Sequence, residues 1–157
     1  VGAGAAARLM QREGAAWSER CRHLTVELWK ELQAVPNAVL NGPPPGVLRD
    51  PRHLNVSFEF VEAEALQLLL DLRGVVATAY AGCLAPSLKL SPVLKAMGLD
   101  DALSMGALLF SPGPEQGVEE MREAARRVVG AVEKLRSMSV GWQAYQAGRI
   151  DSQIRGD

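Results

Sequence analysis

Apolar residues recur at helical spacing over residues 5 to 35. Trp17, Cys21, Leu24, Leu28, Leu32 and Val35 fall on one stripe, while Arg12, Glu13, Arg20, Arg22, Glu27, Lys30 and Glu31 fall largely elsewhere. The pattern predicts one long helix, weakened slightly at Gly14 and stopped by Pro36-Asn37. Ala38 to Leu40 reads as a short strand closed by Asn41-Gly42, and the proline-rich run from Pro43 to Pro51 as a stiff loop. Residues 54–60 alternate apolar and polar, the mark of a half-buried strand. A helix over Glu62 to Leu72 turns Leu66, Leu69 and Leu70 inward and ends at Gly74.

Val75 to Thr78 reads as a strand, followed by a loop of small residues around Cys83. Ser91-Pro92 is a helix start, with a capping hydroxyl and proline at the first helical position. That helix carries Val93, Leu94 and Met97 and stops at Gly98. Ala107 to Phe110 is a strand, and residues 111–114 are a turn. The second clear amphipathic helix runs from Gly117 to Leu135, and a last one begins near Ser139 and holds Trp142 and Tyr145. Few short strands among long helices predict an α+β fold: a small, mainly antiparallel sheet covered by helices on one face, with a long N-terminal helix.

Composition narrows the function. The chain has 157 residues, 48% of them apolar and 22% charged, and is read as a single domain over 1–157. A net charge of −1 argues against nucleic acid as a partner. No apolar run approaches the roughly 18 residues of a membrane span. Two cysteines make no disulfide framework, so a reducing cytoplasmic setting is expected. Position 1 is Val rather than Met, which points to a start inside a longer chain.

Candidate chemistry is sparse. No phosphate-binding or dinucleotide-binding glycine motif is present. His23 and His53 have no cysteine or carboxylate at zinc spacing, so no metal site is expected. Glu62 with Glu64, and Glu119 with Glu120, read as helix N-terminal charge. Cys21 lies on an apolar stripe and reads as a small core residue. Cys83 leaves two readings open. Ala79, Ala81, Gly82 and Ala85 bury it poorly from within the loop, and Lys89 and the helix start at Ser91 favour a thiolate, yet a structural role fits the local sequence equally.

Taken in order, the chain resembles the C-terminal small domain of a cysteine desulfurase of the NifS/IscS type, in the class V aminotransferase family. Asn41-Gly42 and residues 54–58, Leu-Asn-Val-Ser-Phe, resemble the family's "NG … LNVSF" region. Val61 to Leu66 resembles "VEGESL", and Cys83 to Ser91 resembles the "CTSASLEPS" loop, with Cys83 on the catalytic cysteine. Val93 to Leu99 resembles "VLRALGL", and Leu109-Phe110-Ser111 with Gly113 resembles "RFSLG". Leu135, Arg136, Ser139, Trp142 and Gly148 resemble the tail motif.

The resemblance implies the small-domain fold of fold-type I pyridoxal phosphate enzymes and a sulfur-transfer activity. In the family, pyridoxal phosphate on a lysine of the large domain activates cysteine. The loop thiolate takes the sulfur as a persulfide and passes it to an acceptor such as an iron–sulfur scaffold protein. Cys83 is the catalytic residue so implied. No lysine here matches the cofactor lysine, so no cofactor is expected in this chain, and whether it is itself an enzyme is left open. Leu109 stands where the family has the arginine that binds the substrate carboxylate. The residues around Cys83 are more apolar than the family's, and Lys89 replaces an acidic position. The expected partners are a large-domain polypeptide or a sulfur acceptor. A small domain without its large domain exposes apolar surface, so a homodimer is expected, with Trp17 and Trp29 as candidates for the contact. The alternative is a non-catalytic interaction module related to the desulfurases.

Overall fold

A computed structural model describes residues 1–46, 48–79 and 90–152. Helix α1 (Gly2–Leu32) is 31 residues long, about 46 Å at the usual rise. Its buried stripe is Cys21, Leu24, Thr25, Leu28 and Leu32, with Gly14 the one buried position nearer the N-terminus. The helix ends three residues before the predicted Val35. The residue ahead of a proline disfavours helical backbone, and Asn37 takes a left-handed φ of 55°.

Strands β1 (Ala38–Leu40) and β2 (Leu54–Phe58) pair antiparallel. Helix α2 (Ala63–Asp71) follows, closed by Gly74 at φ 73°. Strand β3 (Thr78–Ala79) covers only two residues. Two short helices come next, α3 (Pro92–Ala96) and α4 (Asp101–Met105). Strand β4 (Ala107–Phe110), helix α5 (Val118–Ser137) and helix α6 (Val140–Gln146) complete the order. The sheet runs β1-β2-β4-β3, with every neighbouring pair antiparallel.

Two elements differ from the pattern's prediction. The strand expected at Val75 to Thr78 forms instead at Thr78–Ala79. Thr78 lies opposite Leu109, so extending that register backward would set Val75 against Pro112, which has no N–H to give the ladder. Helix α4 was not foreseen. Asp100 caps it, its carboxylate accepting from the Ala102 N–H at 2.8 Å.

Alternation along the strands gives the sheet two distinct faces. Leu54, Val56 and Phe58 of β2, with Leu108 and Phe110 of β4, enter the core. There they meet Leu24, Leu28 and Leu32 of α1, Leu66 and Leu70 of α2, and Val128 and Val132 of α5. The three longest packing helices thus share one face, as predicted. Trp29 packs half-buried against this core. On the opposite face lie Asn55, Ser57, Thr78, Ala107 and Leu109, partly covered by α3 and α4. Gly106 allows α4 to press there: a Cβ would stand 2.3 Å from the Phe58 carbonyl oxygen. Among the described residues, no helix is long and apolar enough to cross a membrane.

Candidate functional site

The outer face of the sheet carries a small polar cluster. Asn41 follows β1, and its N–H donates to the Asn55 carbonyl at 3.0 Å. Its Nδ2 donates to Asn55 Oδ1 at 2.6 Å and Ser57 Oγ at 2.9 Å. Arg49 braces the cluster from behind. Its Nε, Nη1 and Nη2 donate to the carbonyls of Pro43, His53 and Asn41 at 2.6, 3.0 and 2.6 Å. Burial pushes the Arg49 pKa below the ordinary guanidinium value, and these carbonyls replace the water it has lost. Gly42, at φ 88°, lets the chain turn away beside this guanidinium.

A cavity of about 220 Å3 opens over this face. Its polar lining includes Asn41, Asn55, Thr78, Ser91 and Ser104, and its apolar lining includes Leu94, Met97 and Leu109. Leu109 is the direct cross-strand neighbour of both Asn55 and Thr78. Two buried polar atoms of this lining, Asn41 Oδ1 and Ser104 Oγ, have no hydrogen-bond partner.

Cys83 lies within residues 80–89, outside the described residues. Both flanks of that segment are fixed. The Ala79 N–H donates to Gln67 Oε1 of α2 at 2.9 Å, and Ser91 Oγ accepts from the Leu94 N–H at 3.4 Å to start α3. Thr78 and Ser91, one on each side, line the same cavity as Leu109. Cys21 is fully buried, and burial pushes its thiol pKa up against the smaller pull of Arg52 and Arg20, the behaviour of a core residue. His23 and His53 are both solvent-exposed, and His53 sits at the cavity margin. Among the described residues, no cluster of His, Cys, Asp and Glu is placed to hold a metal ion.

Leu109 also borders a larger cleft of about 700 Å3, between the Gly74–Thr78 segment and the first half of α5. Its carboxylates are locally engaged. Glu119 pairs with Arg122, Glu120 accepts from the Gly117 N–H at 2.7 Å, and Glu123 accepts from Arg126 and Arg127. These Arg126 and Arg127 hydrogen bonds hold the Glu123 carboxyl below the usual glutamate range. The acidic pair at 119 and 120 therefore does serve the start of the helix, as its sequence position suggests.

Sequence reasoning passed over two buried charged residues. Arg136 falls four residues after Val132, where the apolar stripe of α5 calls for a hydrophobe, and that position was the available signal. It donates to the carbonyls of Glu59 and Pro36 and lies 4.4 Å from the centre of the Trp142 ring. Glu59 is buried, and its Oε2 accepts from Asn37 Nδ2 and Ser152 Oγ, both at 2.7 Å. Phe60, Trp142 and Tyr145 stack beside them and dock α6.

No family model matches the chain. The cysteine desulfurase IscS of Azotobacter vinelandii is 36% identical to it over 148 residues, 94% of this chain and 36% of that protein. IscS of Pseudomonas putida is 34% identical over 154 residues, 98% of this chain and 37% of that protein. This chain is a divergent relative of the cysteine desulfurases. It spans little more than a third of the length of the curated relatives it matches. Two solved structures carry the same fold. A NifS-like protein superposes with a TM-score of 0.67 at 21% identity, over 80% of this chain and 31% of its own. A NifS-like protein from Rickettsia africae gives 0.66 at 18% identity, over 85% of this chain and 33% of its own.

The relationship to the desulfurases brings pyridoxal phosphate into question, and the described residues do not fit it. Lys30 of α1, Lys95 of α3 and Lys134 of α5 are exposed, and none of the three lines either cavity. A Schiff-base lysine needs the opposite setting, a desolvated pocket that lowers its pKa. At the desulfurase arginine position, Leu109 contributes an apolar, half-buried wall.

Proposed function

We propose that this chain is a desulfurase-like sulfur-relay domain in which Cys83 carries sulfur as a persulfide. The observation that carries the reading is convergence. The two flanks of the Cys83 segment, Thr78 and Ser91, meet Leu109 at one outer-face cavity, in a chain 36% identical to IscS over nearly its whole length. Cys83 acts as a nucleophile. Its thiolate attacks the outer sulfur of a persulfide R–S–SH, the S–S bond of the donor breaks, and R–S⁻ leaves as Cys83–S–SH forms. The sulfane sulfur is transferred without net oxidation or reduction. The thiol of an acceptor protein then repeats the exchange, and an iron–sulfur scaffold or thio-cofactor enzyme is the acceptor class in keeping with the relatives' name. Any pyridoxal phosphate chemistry is supplied from outside this chain, by a large-domain polypeptide. A reducing cytoplasmic compartment suits a relay thiol and the unpaired, buried Cys21.

The test is intact-mass spectrometry after incubation with a small persulfide donor. The reading expects a gain of one sulfur atom that is removed by dithiothreitol and missing in Cys83→Ser. Sulfur that stays on the protein in Cys83→Ser, or no gain at all, rejects the relay.

A specific observation favours the second reading, a non-catalytic interaction module. Leu68 and Leu72, one turn apart on and just after α2, are 68% and 85% exposed, and Val76 is 83% exposed. Such a patch calls for a covering surface, and a homodimer supplies one without a further polypeptide.

A further inference from the structure

The outer-face cavity holds two buried polar groups with nothing to bind. Asn41 is 4% exposed and Ser104 is 2% exposed, and both belong to the lining. Asn41 uses its two amide hydrogens on Asn55 and Ser57, so its Oδ1 is left as an acceptor without a donor. Ser104 Oγ, at the end of α4, likewise lacks a partner. Buried polar atoms left unpaired cost about 1–3 kcal/mol each, so a pair of them in one lining points to a group that satisfies both.

The rest of the lining defines that group. Leu94, Met97 and Leu109 give the cavity an apolar side. Thr78 and Ser91 supply hydroxyls at the flanks of the Cys83 segment, and Asn55 supplies an amide. The described lining contains no lysine, arginine or carboxylate, and His53 is its one titratable side chain. Arg49 stands behind Asn41, but each of its three nitrogens is spent on a main-chain carbonyl. A carboxylate entering here would face the lone pairs of Asn41 Oδ1 and the methyls of Leu109, with its hydration lost. A neutral N–H or O–H donor meets the opposite reception. At about 220 Å3 the cavity is fragment-sized, below the roughly 300–1,000 Å3 of larger ligand pockets.

We infer that this cavity is a binding subsite for a small uncharged ligand with an N–H or O–H donor and a short apolar body, and that it selects carboxylate-free sulfur donors for the relay. The donor half rests on the relay reading; the binding half does not. Leu109 and Asn41 are then specificity-determining residues, with Leu109 turning the cavity away from free amino acids. The donors it suits are uncharged alkyl persulfides, or a persulfide on a protein cysteine whose neighbouring carbonyls are amides.

Two matched probes decide the matter. S-methyl-N-acetylcysteinamide and S-methyl-N-acetylcysteine differ in one group, a carboxamide against a carboxylate. Each is titrated into the full chain carrying Cys83→Ser and followed by the methyl resonances of Leu94, Met97 and Leu109. The amide is expected to shift these signals saturably and to bind about tenfold or more tightly than the acid, the factor expected for one unpaired charged group. Leu109→Arg is expected to reverse the order. Equal affinities, tighter binding of the acid, or no shift with either probe in the parent chain overturns the inference, and this comparison does not depend on the variant. The corresponding persulfides, offered to the chain with Cys83 intact, are expected to load it in the same order. Binding of the amide without loading of Cys83 by either persulfide would leave the subsite standing and overturn both the relay and the donor assignment.

Discussion

Gly106 has no room for a side chain. A Cβ there would lie 2.3 Å from the Phe58 carbonyl oxygen and 3.0 Å from that of Val61, both main-chain atoms that cannot swing aside. Its own carbonyl accepts from the Phe58 N–H at 3.0 Å, so the glycine joins α4 to the end of β2. Gly106→Ala is therefore expected to destabilise the fold by about 3 kcal/mol, the upper end of overpacking costs. Urea unfolding measures it, and an unchanged midpoint would contradict the contact. Gly106 could not be singled out in the sequence, because its neighbour Phe58 is remote along the chain. The same holds for the cavity. Asn41-Gly42 was legible as part of a family pattern, but nothing local says that Asn41 ends beside Ser104. Leu109 was legible by resemblance alone, as an apolar residue in an arginine's place, and the structure adds that it walls both the cavity and the larger cleft.

At the scale of elements, periodicity served where one face is buried over several turns. The stripe of α5 was read as Val118, Met121, Ala125, Val128, Val132 and Leu135. Met121, Ala125, Val128 and Val132 are buried, while Val118 and Leu135 pack partly buried at its edges. The alternation of β2 was equally plain. Helices α3 and α4 have only five residues each, too few for a period, and depend on their caps. The cap was read at Ser91 and missed at Asp100, because Asp100-Asp101 follows a glycine and resembles a turn. Ser91→Ala and Asp100→Ala are each expected to cost about 1 kcal/mol, seen as a lower urea midpoint with an unchanged slope. Ser91→Ala additionally loosens one flank of the Cys83 segment. Strand β3 failed for a non-local reason: its extent is limited by Pro112 on the neighbouring segment, which no window over residues 75–79 contains.

At the scale of the molecule, a desulfurase-type small domain presents a filled core on one side of its sheet and a cavity on the other. Its exposed apolar residues Leu68, Leu72 and Val76 lie on and just beyond α2, away from the predicted Trp17 and Trp29, both of which are half-buried. If this surface forms the proposed homodimer, sedimentation velocity should report a dimer that Leu68→Ser with Leu72→Ser converts to a folded monomer. A parent chain that is monomeric at micromolar concentration would contradict the dimer. The relay is the central claim, and it is tested most directly by the alkylation rate of Cys83 as a function of pH in a Cys21→Ala background. The account predicts reaction without denaturant and a rate that titrates below the free-thiol value of about 8.5. A Cys83 thiol that stays silent until the protein is unfolded would contradict it.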